Sequence, residues 1–136
     1  MRDQEKTIIN KYLGIPFKHR GRSMDALDCY GLVKNVYQDL GYELFDIEDY
    51  EEKWFENGKN HFIENHYRQW KKVSHHKPFD VVLFKRKGVV SHCGVVLSDW
   101  KFLHCSHKTK GVVVSRLRDK CWDYCIEGFY RLKERI

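Results

Sequence analysis

Cys29 stands where a loop becomes a helix, in the run Leu27-Asp28-Cys29-Tyr30-Gly31-Leu32-Val33, a position at which a thiol can be made into a nucleophile. Asp28 has the side chain of a helix N-cap, and Leu32, Val33, Val36, Tyr37 and Leu40 recur at helical spacing up to Gly41. Cys29 therefore falls in the first turn. Unpaired backbone N–H groups and the positive end of the helix dipole there favour thiolate over thiol, and one N–H can face a developing oxyanion.

A cysteine nucleophile needs a general base held by a third group. The β-rich runs His92 to Val96 and Trp100 to His104, paired through the loop Leu97-Ser98-Asp99, predict a hairpin that sets His92 directly opposite His104. On that face His92, Gly94 and Val96 join Trp100, Phe102 and His104, and Gly94 leaves room beside His92 for a thiol-bearing helix end or a substrate. Zinc is the rival reading, because His92-Cys93 and His104-Cys105-Ser106-His107 are rich in ligand types. Strand alternation separates His92 and His104 from Cys93, Cys105 and His107, and Cys121-x3-Cys125 is a weak spacing for completing a cluster. No metal and no cofactor is expected. The thiols of Cys93, Cys105, Cys121 and Cys125 read as core packing.

Several elements must position these residues. Asp3 to Leu13 reads as a helix, apolar through Ile8, Ile9, Tyr12 and Leu13 and ended by Gly14 and Pro16. A polar loop follows, Lys18-His19-Arg20-Gly21-Arg22-Ser23, and then the helix from Cys29 to Leu40. The aromatic-rich stretch Ile47 to Val73 suggests two shorter helices broken near Asn57-Gly58. After it the period changes: Phe79 to Phe84, His92 to Leu97, Trp100 to Cys105, Val112 to Leu117 and Ile126 to Leu132 are short strand-like runs. Helices followed by consecutive strands predict one α+β domain over residues 1–136 with a central antiparallel sheet.

With 42% apolar residues the chain can build a core, and no apolar run reaches membrane-spanning length. The charged start, Met1 to Lys6, is not a signal segment, so synthesis in the cytoplasm without a leader is expected. Five cysteines, an odd number without a disulfide-framework spacing, read as thiols. The formal charge of +6, with clusters at Lys85-Arg86-Lys87, Lys108-Thr109-Lys110 and Arg116-Leu117-Arg118, favours an anionic partner such as an acidic cell-wall polymer, a carboxylate-rich substrate or nucleic acid. A nucleic-acid binder would show steep salt dependence and indifference to Cys29→Ala; the thiol-enzyme reading requires the reverse.

Tyr12 to Phe17, Leu27 to Val33, Asp80 to Phe84, Ser91 to Leu97 and Lys101 to His104 resemble, in order and spacing, the NlpC/P60 cell-wall cysteine peptidases. The correspondence rests most on the family's D-C-S-G-hydrophobic and H-V-G patterns and on the 12 positions from His92 to His104. The resemblance implies a papain-like α+β fold in which Cys29 takes the nucleophile's place, His92 the base's and His104 the orienting residue's. The implied reaction is cleavage between D-γ-glutamyl and a diamino acid in peptidoglycan stem peptides. The chain departs from the pattern twice. Tyr30 stands where serine often follows the cysteine, and Phe17 where a tyrosine hydroxyl commonly assists the oxyanion or substrate. His19 or Ser23 could replace that hydroxyl, and Lys18, Arg20 or Arg22 could receive a substrate carboxylate. The compact chain and the loop from Gly14 to Ser23 look like phage and prophage tail versions, which implies tail proteins as partners and action at the bacterial wall, with no nucleic acid and no membrane segment involved. A tail-assembly protein with little turnover and another thiol amidase or acyltransferase are the alternatives.

Overall fold

The structure, a computed structural model, describes residues 2–45 and 69–136. The helices expected around Asn57-Gly58 lie outside them. Helix α1 (Asp3–Tyr12) carries Asp3 and Glu5 in its first turn and buries Ile8 and Tyr12. Two short strands, β1 (Arg22–Ser23) and β2 (Ala26–Leu27), form a hairpin ahead of helix α2 (Cys29–Asp39). Next come β3 (Trp70–Val73), β4 (Val81–Arg86), β5 (Val89–Leu97), β6 (Lys101–Ser106) and β7 (Gly111–Arg116). A short helix α3 (Lys120–Asp123), strand β8 (Ile126–Leu132) and a closing 3-10 turn (Lys133–Arg135) complete the chain. No helix among the described residues is long and apolar enough to cross a membrane.

The six longer strands form one antiparallel sheet in the order β3-β8-β4-β5-β6-β7. Central β4 is buried at Val81, Val82, Leu83 and Phe84 alike, as expected of a strand covered on both faces. One face packs on α1 and α2 through Leu83, Cys93, Val95, Leu97, Leu103 and Cys105; the other buries Val82, Phe84, Val96 and Phe102 against Trp122 and the neighbouring strand residue Phe129.

Two expectations are corrected. Trp70 to Val73, read with the helical stretch, is an edge strand paired with Phe129 to Leu132; Trp70 packs edge-on to Tyr37, with 5.3 Å between ring centroids. In the β5–β6 hairpin, Val96 pairs with Phe102 and Leu97 with Lys101, so the register slips by two residues and His104 is diagonal to His92 rather than opposite. The cause lies in the turn. Buried Glu5 takes the Ser98 N–H (2.6 Å) and hydroxyl (2.7 Å), holding Ser98 out of the ladder, and Asp99 and Trp100 close the turn at φ 61° and 59°. A slip of two preserves side-chain parity, so the two histidines still share a face.

Candidate active site

The α2 N-terminus is assembled by Asp28 and by two glycines without room for a side chain. The Asp28 carboxylate accepts the Gly31 N–H (2.7 Å), the Arg22 guanidinium (2.8 Å) and the Arg20 N–H (3.2 Å). It thus caps the helix and ties the preceding loop to it. A Cβ at Gly31 would lie 1.9 Å from the Gly21 carbonyl oxygen, and one at Gly21 would lie 2.5 Å from the Ala26 oxygen. The loop therefore lies backbone to backbone on the first helical turn, which explains the glycine two residues after Cys29.

Around this end sit the residues considered for substrate contact. Phe17 is half-buried, its N–H bonded to the Lys110 carbonyl at 3.1 Å and its ring edge-on to His107. Tyr30 is buried, donates its hydroxyl to the Phe45 carbonyl and lies under the Arg22 guanidinium, 5.4 Å from its ring centroid. Arg22 is thereby committed to Asp28 and Tyr30. Ser23 is exposed in β1 and accepts the Asp25 N–H, while His19 is half-buried and Arg20 exposed.

Cys29 itself packs, half-buried, on the helix-covered face of the sheet. The Cys93 thiol lies beside it, and the Cys105 thiol donates to the Leu27 carbonyl at 3.2 Å. Burial, with the Cys29 contact second, pushes the Cys93 thiol well above its ordinary range. Burial likewise pushes Cys105 up to about 12. Both stay protonated at neutral pH. Cys125 lies in the opposite core cluster, so it does not join Cys93 and Cys105. Among the described residues no group of three or more His, Cys, Asp or Glu side chains is placed to hold a metal.

The imidazoles occupy the other face. His92 Nε2 lies 2.9 Å from His104 Nδ1, and His104 Nε2 lies 2.8 Å from Ser115 Oγ. Trp122 roofs the pair, stacked on His92 at 5.6 Å and edge-on to His104 at 4.9 Å, with Phe84 and Phe102 against the rings. Burial, reinforced by the neighbouring His104 and Arg86, drives His92 well below its ordinary range; burial alone lowers His104 to about 4. Both rings are neutral at pH 7. The room expected beside Gly94 is filled, since a Cβ there would meet the Phe102 ring at 2.8 Å. The helix end instead reaches β5 from the opposite face, at Cys93.

Two neighbours were not singled out from the sequence. Ser115 was within reach of strand parity, because β7 sets it opposite Phe102, on the face that carries His104. Trp122 belongs to a four-residue helix with no periodicity to announce it.

The sequence profile of the NlpC/P60 family matches residues 14–131. The chain belongs to this family, whose members are generally cysteine peptidases acting on peptidoglycan. An NlpC/P60 family protein from Bacillus cereus ATCC 10987 superposes with a TM-score of 0.73 at 20% identity, over 96% of this chain and 39% of that one. The NlpC/P60 domain of the peptidoglycan hydrolase SagA superposes at 0.59 and 20% identity, over 95% and 97%. RipD from Mycobacterium tuberculosis, described as a non-catalytic NlpC/P60 domain protein adapted to peptidoglycan binding, superposes at 0.59 and 16% identity, over 96% and 97%. The chain spans about two fifths of the Bacillus cereus protein. Comparison with curated proteins found no match. The papain-like α+β architecture is shared with these structures.

Proposed function

We propose that this chain is a cysteine peptidase domain that hydrolyses the D-γ-glutamyl–diamino acid bond of peptidoglycan stem peptides through Cys29, His92 and His104. The observation that supports it most is the seating of Cys29, at the α2 N-terminus, against Cys93, the residue that follows His92 on β5. Adjacent Cα atoms are only about 3.8 Å apart, so nucleophile and base belong to one locality. The Cys29 sulfur attacks the amide carbonyl, its proton passes to His92 Nδ1, and the Cys29 N–H receives the oxyanion. His92 protonates the departing amine, the C–N bond breaks and a thioester remains. Water activated by His92 then cleaves the thioester, releasing the carboxylate and restoring the thiol. His104 Nδ1 accepts the His92 Nε2–H and holds the ring in the tautomer this requires.

Substrate recognition falls to the loop on the helix end, with Phe17, His19, Arg20, Ser23 and Tyr30 as its contact residues. Phe17 supplies no hydroxyl for the oxyanion, and one missing donor costs about 2.7–4 kcal/mol in such sites, so turnover is slow. We extend the reading to a phage or prophage tail setting, on the resemblance of the Gly14 to Ser23 loop alone; co-purification with assembled tail particles tests that extension.

A second reading, a wall-binding or tail-structural domain without turnover, is favoured by one observation: Cys29 packs among thiols on one sheet face while His92 is stacked under Trp122 on the other. Mass spectrometry of soluble muropeptides decides between them, using wild type and Cys29→Ala under reducing conditions with and without chelator. Cleavage after D-γ-glutamate by wild type alone, unaffected by chelator, is expected. Muropeptide binding without cleavage, over a panel covering diaminopimelate and lysine, would establish the second reading.

A further inference from the structure

We infer that Ser115 is a positioning residue that sets the tautomer of both histidines, extending the proposed site to the chain Cys29, His92, His104, Ser115. The inference rests on that proposed site for its catalytic meaning, but on the hydrogen-bond geometry alone for its physical content.

Of the four ring nitrogens of His92 and His104, three have a partner fixed by distance: His92 Nε2 to His104 Nδ1 at 2.9 Å, and His104 Nε2 to Ser115 Oγ at 2.8 Å. His104 is completely buried, so an imidazole N–H left without an acceptor would carry a desolvation penalty. Two polarities satisfy the distances. In the first, Ser115 Oγ accepts the His104 Nε2–H, His104 Nδ1 accepts the His92 Nε2–H, and His92 Nδ1 is left as a lone pair. In the second, the Ser115 hydroxyl donates, both rings carry their proton on Nδ1, and His92 Nδ1 cannot take a proton from a thiol. Only the first yields a base. It also places each neutral ring in the Nε2–H form that free histidine side chains favour in water.

A serine oxygen has two acceptor lone pairs for the first polarity, whereas alanine has none. Removing the hydroxyl orphans the His104 Nε2–H and shifts both rings toward the Nδ1–H form, in which only a ring lone pair goes unpaired. Ser115 is half-buried in β7 and projects on the same face as His104, well placed for this and remote from the thiol. Its pairing residue across the ladder, Phe102, stacks on His104 at 4.4 Å and fixes the ring plane, so the serine governs the protons and not the ring's position.

The test is the tautomer state of His92 and His104 in the full chain by imidazole nitrogen NMR, alongside kcat and KM on a muropeptide. Wild type is expected to show both rings as Nε2–H. Ser115→Ala should convert a substantial share to Nδ1–H and lower kcat about tenfold to a hundredfold at nearly constant KM, and Ser115→Thr, which keeps the hydroxyl, should restore both. Should Ser115→Ala fail to fold, Ser115→Cys, similar in size but a poor acceptor, gives the same readout. Unchanged tautomers in the alanine or cysteine variant, or Nδ1–H rings in wild type, would overturn the inference. An intact tautomer response in a wild type that cleaves no muropeptide would sink the peptidase reading and leave the role of Ser115 standing.

Discussion

The two faces of the central sheet divide the chemistry: the thiols of Cys29, Cys93 and Cys105 lie on the helix-covered face and the imidazoles of His92 and His104 on the face under Trp122. Cys93 and Cys105 share the first with Cys29, while His92, His104 and Ser115 share the second. Burial acts on both in the direction of neutrality, raising the Cys93 and Cys105 thiols and lowering the His92 and His104 imidazoles. What differs is how each face is organised. The thiol face is held by backbone, through a loop pressed on a helix end, whereas the imidazole face is held by ring packing and a directional chain of hydrogen bonds. Under the roles proposed for Cys29 and His92, a nucleophile and base on opposite faces meet only across the Cys93–His92 step of β5, so the proposed chemistry is sensitive to displacement of the helix end.

Gly31→Ala should break the thiol face most severely. Its Cβ would meet backbone, the Gly21 oxygen at 1.9 Å, and not the yielding tip of a side chain. The loop must lift from the helix, taking the Asp28 bonds with it. Muropeptide cleavage should be lost, and a denaturant titration should register destabilisation on the order of 3 kcal/mol. A variant as stable and active as wild type would show that the loop does not position Cys29.

The imidazole face should announce itself by pH. His104 is lowered to about 4 and His92 is also held well below the ordinary value near 6.5, so the unfolded chain binds protons that the folded chain refuses. The stability due to neutral, buried rings is complete above about pH 6.5 and is lost as pH falls toward the folded values. For His104 alone the loss by pH 4 is about 3 kcal/mol, and the apparent midpoints belong to the coupled pair. Urea titrations at pH 7, 5.5 and 4 should show this decline in wild type and a shallower one in His104→Gln. Equal slopes would mean that the rings are not buried in neutral form.

Much of this division was legible in the residues. Asp28 and the stripe from Leu32 to Leu40 mark α2 plainly, because a cap and a helical period are local signals. That His92 and His104 share a face followed from parity, which survives a slip of two. The slip itself was not legible, since it is imposed by Glu5, 93 residues away in sequence from Ser98. Nor was the side from which α2 approaches. Strand alternation separates two faces but does not say which one a helix covers, and Gly94 looked like an opening until Phe102 was seen to fill it. Trp70 misled for a similar reason: a tryptophan with two lysines has no decisive period, and only its pairing with β8 makes it a strand.

Glu5 offers a smaller effect on the thiol side. Burial alone would raise its carboxyl, but hydrogen bonds from the Ser98 hydroxyl and N–H and from the Arg2 N–H outweigh it and leave the group below its ordinary 4.5. Its contribution is therefore present above about pH 4.5 and lost as pH falls through the lowered value, a more acid window than that of the histidines. Glu5→Gln should cost about 2 kcal/mol at pH 7 and much less near pH 3, measured by the same titrations. A constant penalty across pH would mean that packing of α1, and not the charged acceptor, anchors the β5–β6 turn.

The mildest change tests what the thiols contribute to their face. Cys93 is fully buried and stays protonated, so beside Cys29 it has at most a weak S–H donor to offer and is otherwise a small apolar side chain. Valine is close in volume and offers no donor. Cys93→Val should change stability by less than about 1.5 kcal/mol and slow alkylation of Cys29 only a few-fold, as expected for one weak hydrogen bond. A loss beyond 3 kcal/mol would identify the thiol contact as structural, making the thiol face as dependent on directional bonding as the imidazole face and removing the contrast between them.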